Sequence, residues 1–188
     1  MHIPIGEIVE KMFSGISNKY DFLNHVLSFG IDYYWRDRLA KKVKILNPNS
    51  LMDLATGSGD VAFKLSDTLN KECEITATDF CQPMLDQAKF KQIKSKKYSN
   101  ISFEHGDAMN LDFEDNTFDI VTVAFGVRNF ENRNKGLREI LRILKPQGSL
   151  FVLEFSQPDT WFRPFYFLYL KYIPVSYTHL TLPTSYPV

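Results

Sequence analysis

The chain is 188 residues long, enough for one domain with a sizeable core. Apolar residues make up 44% of it and charged residues 23%, which excludes wholesale disorder. Lysine plus arginine and aspartate plus glutamate number 22 each, so the net charge is zero and a nucleic-acid binder with a strongly basic field is excluded.

No run of about 18 apolar residues occurs, so no membrane-spanning helix is expected. Met1 to Glu10 carries Glu7 and Glu10 and lacks the basic-then-apolar pattern of a signal peptide. The first 45 residues read as helical: Ile8, Val9, Met12 and Phe13, then Phe22, Leu23, Val26 and Leu27. A break at Gly30 precedes a second helical run, Tyr33 to Ile45, and Asn47-Pro48-Asn49-Ser50 closes the region with turn chemistry. Strands then alternate with helices. Ser50 to Ala55, Glu74 to Thr78, Ile101 to His105, Phe118 to Phe125 and Ser149 to Phe155 read as strands. Asp60 to Leu69, Pro83 to Lys94 and Asn134 to Leu144 read as helices, the last stopped by Pro146 and Gly148. The alternation predicts an α/β fold with a parallel sheet and helices on both faces. Phe118 to Phe125 is nearly all apolar, which suits burial on both sides.

The remaining segments stand apart. Trp161 to Tyr172 is aromatic and helix-like. Val175 to Val188 contains no acidic or basic residue and no helical period, and it resembles a translated adapter tail rather than part of the fold. The expected organisation is thus an N-terminal helical lid (1–49), an α/β core (50–158), an aromatic helical segment (159–174) and a non-native tail (175–188). Cys73 and Cys81, the two cysteines, have no metal-ligand companions; no metal site is expected, and the thiols suit a reducing cytosol.

The strongest chemical signal is the strand-turn-helix Leu51-Met52-Asp53-Leu54-Ala55-Thr56-Gly57-Ser58-Gly59-Asp60. Gly57 and Gly59 let the chain turn sharply and let a ligand approach the main chain. Asp79 ends the second strand, where a carboxylate can accept two hydrogen bonds from a ribose diol. Asp107-Ala108, after the third strand, can meet an adenine amine. A dinucleotide and S-adenosylmethionine both suit this arrangement. Asp53 and Asp60 favour the second, because carboxylates flanking the turn repel a pyrophosphate and attract a sulfonium and an ammonium.

Four further stretches carry a resemblance: Tyr20-Asp21-Phe22-Leu23-Asn24 with Ser28 and Trp35, Phe125-Gly126-Val127-Arg128-Asn129, Arg142 to Gly148, and Leu153 to Pro158. With the glycine turn they make residues 7 to 174 resemble the class I methyltransferases that C-methylate quinol rings in ubiquinone and menaquinone biosynthesis. The resemblance implies a Rossmann-like sheet in the order 3-2-1-4-5, with the family's last two strands missing. It implies S-adenosylmethionine as cofactor, contacted by Ser58, Asp79, Asp107 and Ala108 beside the turn glycines Gly57 and Gly59. The substrate it implies is a prenylated quinol, demethylmenaquinol in preference to a ubiquinone precursor, and the setting is the cytoplasm with a peripheral contact at the inner face of the membrane. Gln147 departs from the family pattern by replacing a glycine, Asp32 by replacing a histidine, and Ala124 by replacing a serine. Two other readings are an NAD-type oxidoreductase and an inactive fragment of the methyltransferase.

A quinol ring carbon becomes nucleophilic when the neighbouring hydroxyl loses its proton, and a phenol ionises near pKa about 10, so a cation or a base must assist. Arg128, just after the fourth strand, is the candidate catalytic residue, the alternative being an ion pair with a helix carboxylate. His25 is a weaker candidate for proton relay, and His105 reads as a loop residue. Tyr20, Phe22 and Trp35 could wall the ring, and Trp161 to Lys171 could meet a membrane.

Overall fold

The computed structural model describes residues 31–154. The N-terminal motif with Tyr20, Phe22 and His25, the aromatic segment, the tail and any strand beyond the fifth lie outside the described residues.

Helix α1 (Ile31–Ile45) leads into strand β1 (Ser50–Leu54), helix α2 (Asp60–Thr68), strand β2 (Glu74–Asp79) and helix α3 (Gln82–Ser95). Strand β3 (Ile101–His105) and strand β4 (Phe118–Ala124) follow. A short 3₁₀ turn (Val127–Asn129), helix α4 (Arg133–Ile143) and strand β5 (Leu144–Leu153) complete the described chain. The five strands are parallel, in the order β3-β2-β1-β4-β5. The chain thus winds outward from β1 to β3, then returns to the other side of β1 for β4 and β5. The place where the winding reverses, between the ends of β1 and β4, is where open α/β sheets bind ligands.

Alternation along the strands decides which residues meet which helix layer. Leu51, Ile75, Ala77, Ile101, Phe103 and Ile120 face one core, closed by Leu39, Ala40 and Val43 of α1, Val61 and Leu65 of α2, and Leu85 and Ala88 of α3. Met52, Leu54, Val121 and Val123 face the other, closed by Ile140 and Ile143 of α4. Leu51, Met52, Val121 and Val123 are essentially inaccessible to water, as central parallel strands require. Helix α1 is therefore tied to the core through Leu39, Ala40 and Val43.

Most element boundaries agree with the sequence reading to within two residues. Strand β5 does not. It begins at Leu144, although Pro146 and Gly148 signal a turn there. Leu144 pairs with Phe118 and Ser149 with Ile120, so four residues of β5 bulge opposite one of β4. Within the bulge Gln147 takes a left-handed φ of 68°, a conformation that glycine adopts more readily than a residue with a side chain.

The lower end of the sheet is clasped by Asp119. Its carboxylate accepts hydrogen bonds from the Asn49 and Ser50 amides (2.9 Å each), from Ser50 Oγ (3.2 Å) and from Lys145 Nζ (2.9 Å). Partial burial works against its charge, but the bonds from Lys145, Ser50 and Asn49 outweigh that and hold the carboxyl down at about 2. Replacing it frees two amides and a lysine at once. We expect Asp119→Ala to lower the unfolding free energy by about 2 kcal/mol at pH 7 in urea titrations. In the wild type this contribution is present above the ordinary carboxyl value of 3.8 and is lost as pH falls towards 2. Equal stability of variant and wild type at pH 7 would show that the clasp contributes nothing.

Candidate active site

The chain leaves β1 under tight control. Asp53, only 1% exposed, accepts hydrogen bonds from Thr56 Oγ1 (2.6 Å) and from Thr122 Oγ1 on β4 (2.7 Å). The Thr56 amide in turn donates to the Thr78 carbonyl on β2 (3.1 Å). The glycine turn is thereby tied to both neighbours of β1. Burial pushes the Asp53 carboxyl up to about 6, with the two threonine hydroxyls pulling against the shift.

The strand ends then diverge. Ala55 after β1 and Phe125 after β4 both adopt left-handed backbone, φ 57° and 58°. Two non-glycine residues in this sparsely populated region, side by side where the sheet's winding reverses, mark a strained and over-determined site. Gly126 is required beside them, since a Cβ there would sit 2.6 Å from the Ala55 Cβ. Gly59, at φ 84°, is required for a different reason: its Cα packs against Phe63, Ala88 and Phe103, each within 3.1 Å of an added Cβ.

Above these turns lies a cleft of about 330 Å³. Asp79 is part of its lining. One carboxylate oxygen accepts from the Gly57 amide (2.7 Å) and the other from the Cys81 amide (2.9 Å). Burial raises its carboxyl above the ordinary range, and the amide bonds work the other way. Leu54, Ala55, Phe80, Met84, Ala124, Phe125 and Phe130 supply apolar wall. Asp107, Glu131, Asn129 and His105 supply polar groups. His105 Nε2 lies 2.9 Å from the Phe80 carbonyl, which can only accept, so this nitrogen carries the proton.

Of the residues expected from sequence, Gly57, Asp79, Asp107 and Ala108 line one cleft. Ser58 and Gly59 do not: Ser58 is buried, its carbonyl accepts from Lys91 Nζ (3.2 Å), and Gly59 faces the packed ring of Phe63. Arg128 lies outside the lining, next to Asn129; its side chain is 49% exposed and pairs with Glu154 at 3.3 Å. The partner sits just past β5 and not on a helix. Trp35 stacks edge-on with Tyr34 and under Arg38, away from the cleft.

The charge argument from sequence also needs correction. Asp60 does not face a ligand. It is bridged by Arg36 and Lys91, each at 2.8 Å, and Arg36 reaches on to Asp32 at 3.2 Å. Asp53 lies beneath the loop. The charges that do face the cleft are Asp79, Asp107 and Glu131, and among the described residues no lysine or arginine lines it. A pyrophosphate has no cation to meet there, whereas a cationic ligand meets carboxylates on several sides. Phe80, Met84, His105 and Phe130 join the lining without having been expected there. Phe80 and Met84 follow Asp79 in the chain, and the turn into α3 is the signal that could have found them.

A model of the ubiE/COQ5 methyltransferase family matches residues 4–181. The ubiquinone/menaquinone biosynthesis C-methyltransferase UbiE of Geotalea daltonii is 41% identical over 172 residues, spanning 90% of this chain and 73% of that protein. The demethylmenaquinone methyltransferase of Bacteroides fragilis is 41% identical over 178 residues, spanning 95% and 69%. Among solved structures, a SAM dependent methyltransferase from Aquifex aeolicus aligns with a TM-score of 0.56 at 23% identity, covering 64% of this chain and 67% of that one, a likeness of fold.

Asp53 gives this site a pH signature. Its folded-state value of about 6 lies above the ordinary 3.8, so its effect on stability is most favourable below about pH 4 and is lost as pH rises through 6. We expect Asp53→Asn to gain on the wild type by up to about 3 kcal/mol between pH 4 and pH 7, read from denaturant titrations at each pH. A constant difference across that range would mean that the carboxyl ionises as it does in the unfolded chain.

Proposed function

This chain belongs to the ubiE/COQ5 methyltransferase family, and we propose that it transfers a methyl group from S-adenosylmethionine to a ring carbon of a prenylated quinol. Demethylmenaquinol, giving menaquinol, is the acceptor we favour, in line with the name of the Bacteroides fragilis relative. The observation that carries the reading is the cleft at the β1/β4 switch point, with carboxylates and no lining cation among the described residues.

The residues present fit the cofactor. The Asp79 carboxylate is buried at the end of β2, held towards the cleft by two amides, in the position suited to a ribose diol. Phe80 and Met84 offer apolar surface to a purine, and Asp107-Ala108 lie where its amine can be met. Gly57 leaves room for close approach, an added Cβ there reaching Met84 only at 3.4 Å. When bound, the cofactor supplies an electrophilic methyl on a cationic sulfonium. The protein's part is to position and to arrange charge. The apolar walls exclude water from the ring, and Asp79, Asp107 and Glu131 give the cation a favourable field.

Arg128 serves the acceptor. A fixed guanidinium near the end of β4 stabilises the quinolate that forms when the ring hydroxyl gives up its proton. Its guanidinium is half exposed where it meets Glu154 at 3.3 Å, and an ion pair this open to water is weak enough to give way to a quinolate.

Two measurements test this. Asp79→Ala should weaken S-adenosylmethionine binding at least tenfold by calorimetry, since it removes two charge-assisted hydrogen bonds; unchanged affinity would place the cofactor elsewhere. Arg128→Gln should lower kcat for a quinol by about a hundredfold with cofactor affinity intact. Retained turnover would remove Arg128 from the chemistry and leave its ion pair as its role.

A further inference from the structure

The outward face of α3 has an unusual composition. Leu85 and Ala88 pack inward, and on the opposite side Phe90 is 65% exposed and Ile93 75%. These two side chains lie one turn apart, so they form one patch. Around them the sequence runs Lys89, Lys91, Lys94, Lys96 and Lys97, five lysines in nine residues, with no acidic residue between Asp86 and Glu104. The chain as a whole is neutral, so this is a marked local excess of positive charge. Lys91 is used internally, bridging Asp60 and the Ser58 carbonyl. Among the described residues, Lys89, Lys94, Lys96 and Lys97 take part in no ion pair.

We propose that this face of α3 docks on an anionic lipid surface. A helix lying in an interface needs an apolar strip flanked by basic side chains, which is the arrangement of Phe90 and Ile93 among the four lysines. Each such lysine gains from the negative surface potential of anionic lipid. The helix is also placed to make docking useful. Its first turn carries Met84 into the wall of the cleft, and Phe90 lies only about 9 Å further along the axis. Docking through α3 would thus hold the protein at the membrane by a helix whose first turn is part of the cleft wall. That advantage rests on the acceptor being lipid-borne, as in the function proposed above, whereas the docking itself does not.

The test is flotation of the full chain with vesicles of phosphatidylcholine alone and of phosphatidylcholine with an equal part of phosphatidylglycerol. The wild type should float with the anionic vesicles only, and salt should weaken the binding. Lys94→Gln with Lys97→Gln should reduce partitioning roughly thirtyfold, the equivalent of about 1 kcal/mol for each lysine. Phe90→Ser with Ile93→Ser should reduce it roughly tenfold or more. All variants should keep the wild-type melting temperature, cofactor affinity and turnover of a tail-less quinol, and lose turnover of a long-tailed quinol presented in vesicles. Equal flotation of variants and wild type would overturn the proposal, as would a wild type that ignores anionic vesicles. A change of oligomeric state in the Phe90/Ile93 variant without vesicle binding would assign the patch to a protein partner instead. Vesicle binding without cofactor binding would overturn the methyltransferase reading and leave the docking face standing; the converse would do the reverse.

Discussion

The hydrogen bonds from Thr56 and Thr122 to the buried Asp53 carboxylate govern how the sheet ends. A carboxylate so far from water is costly unless its oxygens are used, and here each takes one hydroxyl. One bond fixes the start of the glycine turn and the other fixes β4 beside β1. With both ends anchored, the chain has little choice in how it departs. Ala55 and Phe125 turn left-handed, Gly126 fits in the gap between them, and the crevice opens above. The cleft thus opens over strand ends that a polar contact in the core holds in place.

Charge is partitioned on the same plan. Asp60, one residue beyond the second glycine, is occupied by Arg36 from α1 and Lys91 from α3. The loop is therefore gripped from behind by two helices, while Asp79 grips it from the front through the Gly57 amide. Neither cation intrudes on the ligand's side. The result is a turn held rigidly by ion pairs whose field on the cleft side is set by Asp79, Asp107 and Glu131, a preorganised environment for positive charge.

The sheet is largely legible in the sequence because its signals are local. Phe118 to Ala124 is too apolar and too β-branched for anything except a central strand, and Gly57-Ser58-Gly59 between a strand and a helix marks a turn built for a ligand. Asp79 is legible for the same reason, being the acidic residue at the end of β2. What stays hidden depends on tertiary contacts. Whether Asp60 faces a ligand or Arg36 is decided by a residue 24 positions earlier. His105 reads as loop because nothing in His-Gly-Asp says that its ring would reach the Phe80 carbonyl across the sheet edge. The start of β5 is obscured because Pro146 and Gly148 signal a turn, and the structure places that irregularity inside the strand as a bulge.

The parallel topology has a consequence in time. Strand β1 is paired on both sides, with β2 close by in sequence and with β4 some 70 residues later. During synthesis at about 5–20 residues per second, several seconds separate the appearance of β1 from that of the strand that covers its second edge. Through that interval Leu51, Met52 and Leu54 belong to an unfinished sheet, with open backbone donors and acceptors and an apolar surface on either face. A nascent chain of this design cannot secure its centre until β4, which ends at Ala124, has emerged from the ribosome. Shielding during that interval therefore bears on how much chain reaches the finished fold, separately from how stable that fold is once made.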